Sequence, residues 1–152
     1  MKIAIVSDTH NNWTNFKKAI DWIKKEKIQL ILHCGDINSR EIINDAQKLF
    51  DGEIKYVKGN ADYGLEIPDK MEIELENKKI AFTHFPSEAK KMAQSGKYDV
   101  VFYGHTHRPW EEKIGNCRFI NPGELAGQFY KPSFAVYDTA TGNLKLKILE
   151  KL

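Results

Sequence analysis

Short runs of apolar, β-branched residues alternate along the chain with stretches in which apolar positions recur every three or four residues. Lys2 to Val6 is such a run, closed by the turn signal Ser7-Asp8, and predicts a fully buried strand. Phe16, Ala19, Ile20 and Ile23 then fall at helical spacing, with Lys17, Lys18, Asp21, Lys24 and Lys25 on the opposite side. Leu30 to His33 predicts a second strand, Ser39 the cap of a helix carrying Ile42, Ile43, Ala46 and Leu49, and Ile54 to Val57 a third strand. This βαβαβ order requires a parallel sheet with right-handed crossovers.

The rhythm changes after Pro68. Met71 to Leu75 alternates, Asn77-Lys78 is the expected turn, and Lys79 to Thr83 returns as an apolar strand. A short helix over Ser87 to Gln94 leads to a buried strand over Asp99 to Tyr103. The last third predicts two hairpins. Glu111 to Ile114 pairs with Cys117 to Ile120 around Gly115-Asn116, and Phe134 to Tyr137 pairs with Leu144 to Leu149 around Thr141-Gly142-Asn143.

A length of 152 residues with 41% hydrophobic content predicts one domain, residues 1–152, with a continuous core. The formal net charge of +2, with lysines spread along the chain, argues against a strongly basic nucleic-acid surface. Cys34 and Cys117 are too few for a disulfide framework and show no C-x-x-C spacing, which fits a reducing cytoplasm. No apolar run has the length of a membrane span, and the N-terminus does not resemble a signal peptide, so a cytoplasmic protein without a membrane partner is expected.

Polar motifs follow the apolar runs: Ser7-Asp8-Thr9-His10, Gly35-Asp36, Gly59-Asn60, Thr83-His84 and Gly104-His105-Thr106-His107. Each stands where a buried strand would end, so their side chains are expected to converge at one sheet edge. Asp8, His10, Asp36, Asn60, His84, His105 and His107 offer imidazole nitrogens and oxygens, a donor set too large for one ion. In extended backbone, donors two residues apart share a side of the chain. On that basis Asp8 with His10, and His105 with His107, would each reach a common centre. Asp36 follows its strand alone and suits a carboxylate shared by two cations.

Nitrogen and oxygen donors without sulfur suit Mn, Fe, Zn or Ni rather than Ca, and Mn best. Two such ions about 3.5–4 Å apart would hold a shared water as hydroxide and clamp a phosphoryl group for in-line displacement. The sequence offers no competing nucleophile, since neither a G-x-S-x-G elbow nor a Cys-His pairing is visible, and it carries neither a P-loop nor a G-x-G-x-x-G fingerprint.

The ordered series D-x-H, G-D, G-N, His and G-H-x-H resembles the calcineurin-like metallophosphoesterase superfamily, in particular its small bacterial and archaeal phosphodiesterase branch. The resemblance spans nearly the whole chain. It implies an α/β fold of two facing mixed β-sheets flanked by helices, a four-layer αββα sandwich with the site at the strand ends. It also implies one metal on Asp8, His10, Asp36 and His107, and a second on Asp36, Asn60, His84 and His105, with Asp36 bridging and Asn60 also holding phosphoryl oxygens. Three positions depart from the family pattern. Ala61 stands where His or Cys is frequent, His84 is followed by Phe85-Pro86 rather than Gly, and Glu124 replaces a common Ser after Asn121-Pro122-Gly123.

Beside these, His33 is expected to be structural, and Asp62 either to contact a ligand or to satisfy backbone groups in its turn. Cys34 is expected to fill core, and Trp13 and Trp22 to flank it, with Trp13 also able to wall the cleft. The expected activity is metal-dependent hydrolysis of a small-molecule phosphate ester, most specifically a phosphodiester. One alternative is a non-catalytic scaffold, since a retromer subunit resembling this family binds protein partners with a degraded metal site. Here the ligand set is intact. The other is a nuclease, which would need a cationic groove that the near-balanced charge does not supply.

Overall fold

The computed structural model describes residues 1–152. In chain order the elements are β1 (Lys2–Val6), α1 (Trp13–Lys25), β2 (Leu30–His33), α2 (Arg40–Leu49), β3 (Glu53–Tyr56), β4 (Lys70–Leu75) and β5 (Lys78–Thr83). They continue with α3 (Pro86–Gln94), β6 (Val100–Phe102), β7 (Trp110–Ile114), β8 (Cys117–Asn121), β9 (Ser133–Asp138), β10 (Leu144–Ile148) and a final 3-10 turn, Leu149–Lys151.

Strand alternation divides the side chains among layers. In β1, Ala4 and Val6 pack with α1 and α2, whereas Ile3 and Ile5 face the opposite sheet. Phe16, Ala19, Ile20 and Ile23 form the buried face of α1, and Ile42, Ile43 and Ala46 that of α2. Both helices start on side-chain caps: Asn12 Oδ1 accepts from Asn15 N at 3.0 Å, and Ser39 Oγ from Ile42 N at 3.3 Å.

The first sheet has the order β10-β9-β1-β2-β3, in which β1, β2 and β3 run parallel and β9 is antiparallel to both its neighbours. The second has the order β4-β5-β6-β8-β7, with parallel β5, β6 and β8 between antiparallel edge strands. Ala89, Met92 and Ala93 of α3 cover its outer face against Ala81, Val101, Tyr103 and Phe119. Between the sheets lie Ile3, Ile5, Leu32, Phe82, Phe102, Ile120 and Tyr137. The result is the expected αββα sandwich of two mixed sheets. No helix is long and apolar enough to cross a membrane.

Element boundaries moved where pairing or burial decided them. Leu75 pairs with Lys78, so the β4–β5 turn is Glu76-Asn77 rather than Asn77-Lys78, and both turn residues have left-handed φ, 47° and 66°. That is the geometry a two-residue hairpin favours. Strand β10 stops at Ile148 because Leu149 turns inward and is buried among the residues beneath α1. Strand β3 begins and ends one residue earlier than the apolar run suggested.

Phe102 is fully buried between the sheets, its ring centroid 5.8 Å from that of Tyr137. Phe102→Ala should therefore destabilise the protein by about 3–5 kcal/mol in urea unfolding. A loss below about 1 kcal/mol would contradict the inter-sheet core.

Candidate metal centre

The first sheet delivers Asp8, His10, Asp36 and Asn60 just beyond the C-terminal ends of β1, β2 and β3. The second delivers His84, His105 and His107 beyond β5 and β6. The backbone there is not extended: φ is 52° at Asp8, 45° at His10, 61° at Asp36, 71° at His105 and 64° at His107. Left-handed conformations are disfavoured for residues with a Cβ, on the order of 1–2 kcal/mol each. Surrounding hydrogen bonds hold them. Asp8 N donates to Gly35 O and His10 N to Asp36 O, both at 2.9 Å, and His105 N donates to Asp8 Oδ2 at 3.1 Å.

This geometry corrects the expectation drawn from extended backbone. Asp8 and His10 do meet, but His105 and His107 diverge into separate clusters, Asp36-His84-His105 and Asp8-His10-His107. The motif glycines permit the crowding. A Cβ on Gly59 would intrude on the Asp36 carboxylate, and one on Gly104 would meet Ser7 Oγ and Asp8 Oδ2.

Within each cluster the donor atoms lie within 4.8 Å of one another. In the first, His10 Nε2 and His107 Nε2 are 3.2 Å apart, and Asp8 Oδ1 is 3.5 and 3.3 Å from them. Asp8 Oδ1 is buried without a hydrogen-bond partner. In the second, Asn60 Oδ1 lies 3.0 Å from His84 Nε2 and 3.1 Å from His105 Nδ1. Asp36 Oδ2 stands between the two, 3.2 Å from His84 Nε2 and 3.5 Å from His10 Nε2. All seven donors singled out in the sequence are thus gathered at one place.

The supporting groups orient these donors. His84 Nδ1 donates to Cys34 O at 2.7 Å, which leaves the Nε2 lone pair facing its cluster. His107 Nδ1 lies 3.0 Å from Glu124 Oε2, so a fully buried carboxylate stands behind the other cluster. Glu124 also accepts from the backbone N–H groups of Gln128, Phe129 and Tyr130. The sequence marked Glu124 only as a departure; its position in the loop after β8 was the available signal. Asn121 was missed as well: its Nδ2 donates to Gly104 O and Thr106 Oγ1, pinning the loop that carries His105 and His107.

Asp62 satisfies backbone groups. Its carboxylate accepts from Asp36 N, Gly59 N and Asn38 N, each at 2.8 Å, and so ties the Asp36 loop to the Asn60 loop. His33 is structural, as expected: Gly35 N donates to its Nδ1, so Nε2–H donates to Thr9 Oγ1 at 2.8 Å. Ala61 contributes only its N–H, bonded to Asp36 Oδ1 at 2.8 Å. Cys34 fills the inter-sheet core, and Trp13 and Trp22 flank the core beneath α1. The Phe85 ring lies 5.0 Å from the His84 ring and 5.2 Å from that of His105.

The electrostatics favour positive charge. Contact with Asp8 raises the pKa of His10. Burial pulls that of His84 down, but Asp36, Asp8 and the Cys34 carbonyl together outweigh it and the net shift is upward. Burial likewise opposes ionisation of Asp36, yet His84 and the Ala61 N–H hold its carboxyl below the ordinary range. Facing imidazole nitrogens beside a buried carboxylate fit a divalent cation in each cluster, most plainly where Asp8 Oδ1 is left unpartnered, and the nitrogen and oxygen donors fit a first-row transition ion.

A family model described as the calcineurin-like phosphoesterase superfamily domain matches residues 1–142. The chain belongs to this superfamily. Among superfamily members, Phosphodiesterase MJ0936 of Methanocaldococcus jannaschii is 34% identical over 99% of this chain and 100% of its own length. The solved structure of an archaeal phosphodiesterase superposes with a TM-score of 0.88 at 31% identity, covering 97% of this chain and 99% of that one. Zinc-complexed Vps29 from Entamoeba histolytica, 20% identical with a TM-score of 0.74 over 97% of each chain, shares the fold.

Two stability measurements probe this shell. In Asp62→Asn an amide NH2 must face at least one backbone N–H that the carboxylate now accepts, and metal-free protein should lose about 1–3 kcal/mol in chemical unfolding. An unchanged midpoint would show that Asp62 does not hold the two loops. Burial depresses the pKa of His33 to about 4. As pH falls below about 6.5 the unfolded chain takes up that proton first, so folding stability drops until pH reaches about 4, by up to about 3 kcal/mol. His33→Gln should remove this part of the acid sensitivity in chelator-treated protein. Parallel pH curves for the two proteins would contradict a neutral, buried His33.

Proposed function

We propose that the chain is a metal-dependent phosphodiesterase acting on small-molecule phosphate esters. The observation that carries this reading is the Asp36 carboxylate set between two buried His/Asp clusters. Asp8, His10, Asp36 and His107 would hold one divalent ion, and Asp36, Asn60, His84 and His105 the other. Manganese suits the mixed donors best, with Ni, Fe or Zn as the other candidates. When bound, such a pair acidifies a shared water and neutralises charge on the phosphoryl oxygens.

The protein's own groups do the rest. Cys34 O fixes the His84 tautomer, so its Nε2 presents a lone pair without reorganisation, and the buried Glu124 carboxylate stands 3.0 Å behind His107 Nδ1. With Asn60 Oδ1 turned to His84 and His105, the Nδ2 amide is left to donate to a phosphoryl oxygen. Ala61 supplies no proton to a departing alkoxide, so esters with good leaving groups are favoured. The homology to Phosphodiesterase MJ0936 supports the substrate class. The complete donor set weighs against a scaffold that has abandoned catalysis. Two free, buried cysteines agree with a cytoplasmic location.

Chelation should abolish hydrolysis of bis(para-nitrophenyl) phosphate, and Mn²⁺ should restore it with about two ions per chain. The same stripping should lower thermal stability, since ions at 100 times their Kd stabilise by about 2.7 kcal/mol. Asn60→Ala and His84→Ala should each reduce turnover by at least about a hundredfold with circular dichroism unchanged, while His33→Gln remains mild. Full activity at one ion per chain, or equal damage from His33→Gln and His84→Ala, would overturn this assignment.

A further inference from the structure

Two large apolar rings stand exposed at the rim of an otherwise polar centre. Phe85 is 39% exposed and packs on His84 and His105 of one cluster. Phe129 is 75% exposed, with its centroid 5.2 Å from the His107 ring of the other cluster. Single exposed apolar residues are ordinary, but one beside each half of a binding centre invites a ligand.

The backbone that carries each ring is held in place. Phe85 is the N-cap residue of α3; its carbonyl accepts from Ala89 N at 3.0 Å, and Pro86 fixes the first helical position. Phe129 N donates at 3.1 Å to Glu124, the buried carboxylate that also stands behind His107. Each ring is thus carried by a backbone segment joined to the same framework as the histidines it touches.

We infer that Phe85 and Phe129 are specificity-determining walls for the two ester arms of the substrate, selecting phosphodiesters that carry a flat aromatic ring close to phosphorus. This rests on the phosphodiesterase reading. A diester anion presents its two charged oxygens to the centre and its two arms away from it, toward the rim where the two rings stand. Because the Phe rings lie directly against the ligand histidines, only a ring on a short arm can meet them at the 4.5–7 Å centroid spacing of aromatic pairs. A monoester has one arm and can use one wall.

The test separates recognition from turnover by using inert analogues. Dibenzylphosphinate replaces the ester oxygens of diphenyl phosphate with methylenes, and diethylphosphinate does the same for dimethyl phosphate. Neither has an ester to cleave. In calorimetric titration of the Mn²⁺-loaded protein, dibenzylphosphinate should bind at least about 25-fold more tightly than diethylphosphinate, given the usual strength of ring stacking on two aromatic side chains. Phe85→Ala and Phe129→Ala should each lower that ratio about fivefold, whereas Phe85→Tyr and Phe129→Tyr should keep it. A ratio near one in the native protein, or a ratio untouched in the double alanine variant, would overturn the inference. Hydrolysis of bis(para-nitrophenyl) phosphate is measured separately. Its absence beside a retained phosphinate ratio would refute the catalytic reading while supporting the aromatic walls.

Discussion

Burial of two carboxylates, Asp8 and Asp36, beside four imidazoles is the constraint on which the rest of the structure depends. Neither carboxylate has a lysine or arginine partner within ion-pair distance; their cationic neighbours are histidines. A buried carboxylate without compensation is costly. His10 and His84 therefore gain proton affinity, and a divalent cation in the same place would satisfy the carboxylates and the facing nitrogens together. The concentration of chemistry at this point follows from that demand for positive charge.

The fold meets the demand by bringing the C-terminal ends of two sheets to one line. Neither sheet suffices. The first supplies both carboxylates, His10 and Asn60, while the second supplies His84, His105 and His107. The inter-sheet core of Ile3, Ile5, Phe82, Phe102 and Tyr137 thus fixes the distance between the two halves of the centre. Asp62 then couples the loops after β2 and β3, and the Asp8 carboxylate reaches across to His105 N. Loops with left-handed residues at five donor positions keep their shape because such buried bonds over-determine them.

Much of this was legible in the sequence, for a physical reason. Strands buried on both faces give unbroken apolar runs, as at Ile3-Ala4-Ile5-Val6, and the polar residues that interrupt them mark the strand ends where a site forms. The seven donors and the layered architecture follow from that pattern together with the family resemblance. What was not legible depends on backbone conformation and on contacts distant along the chain. Extended spacing taken alone suggested that His105 and His107 share a centre, although the family resemblance implied different metals for them, and their left-handed backbone sends them apart. Asp62 looked ambiguous because two of its three N–H partners, Asp36 and Asn38, lie in the loop after β2, and Glu124 had no evident role until the chain placed it 17 residues on, behind His107.

The most direct test of the account is anomalous diffraction from crystals equilibrated with Mn²⁺. The account predicts two anomalous peaks about 3.5–4 Å apart, one among Asp8, His10 and His107, the other among Asn60, His84 and His105, with the Asp36 carboxylate between them. A single peak, or two peaks that Asp36 does not join, would contradict it.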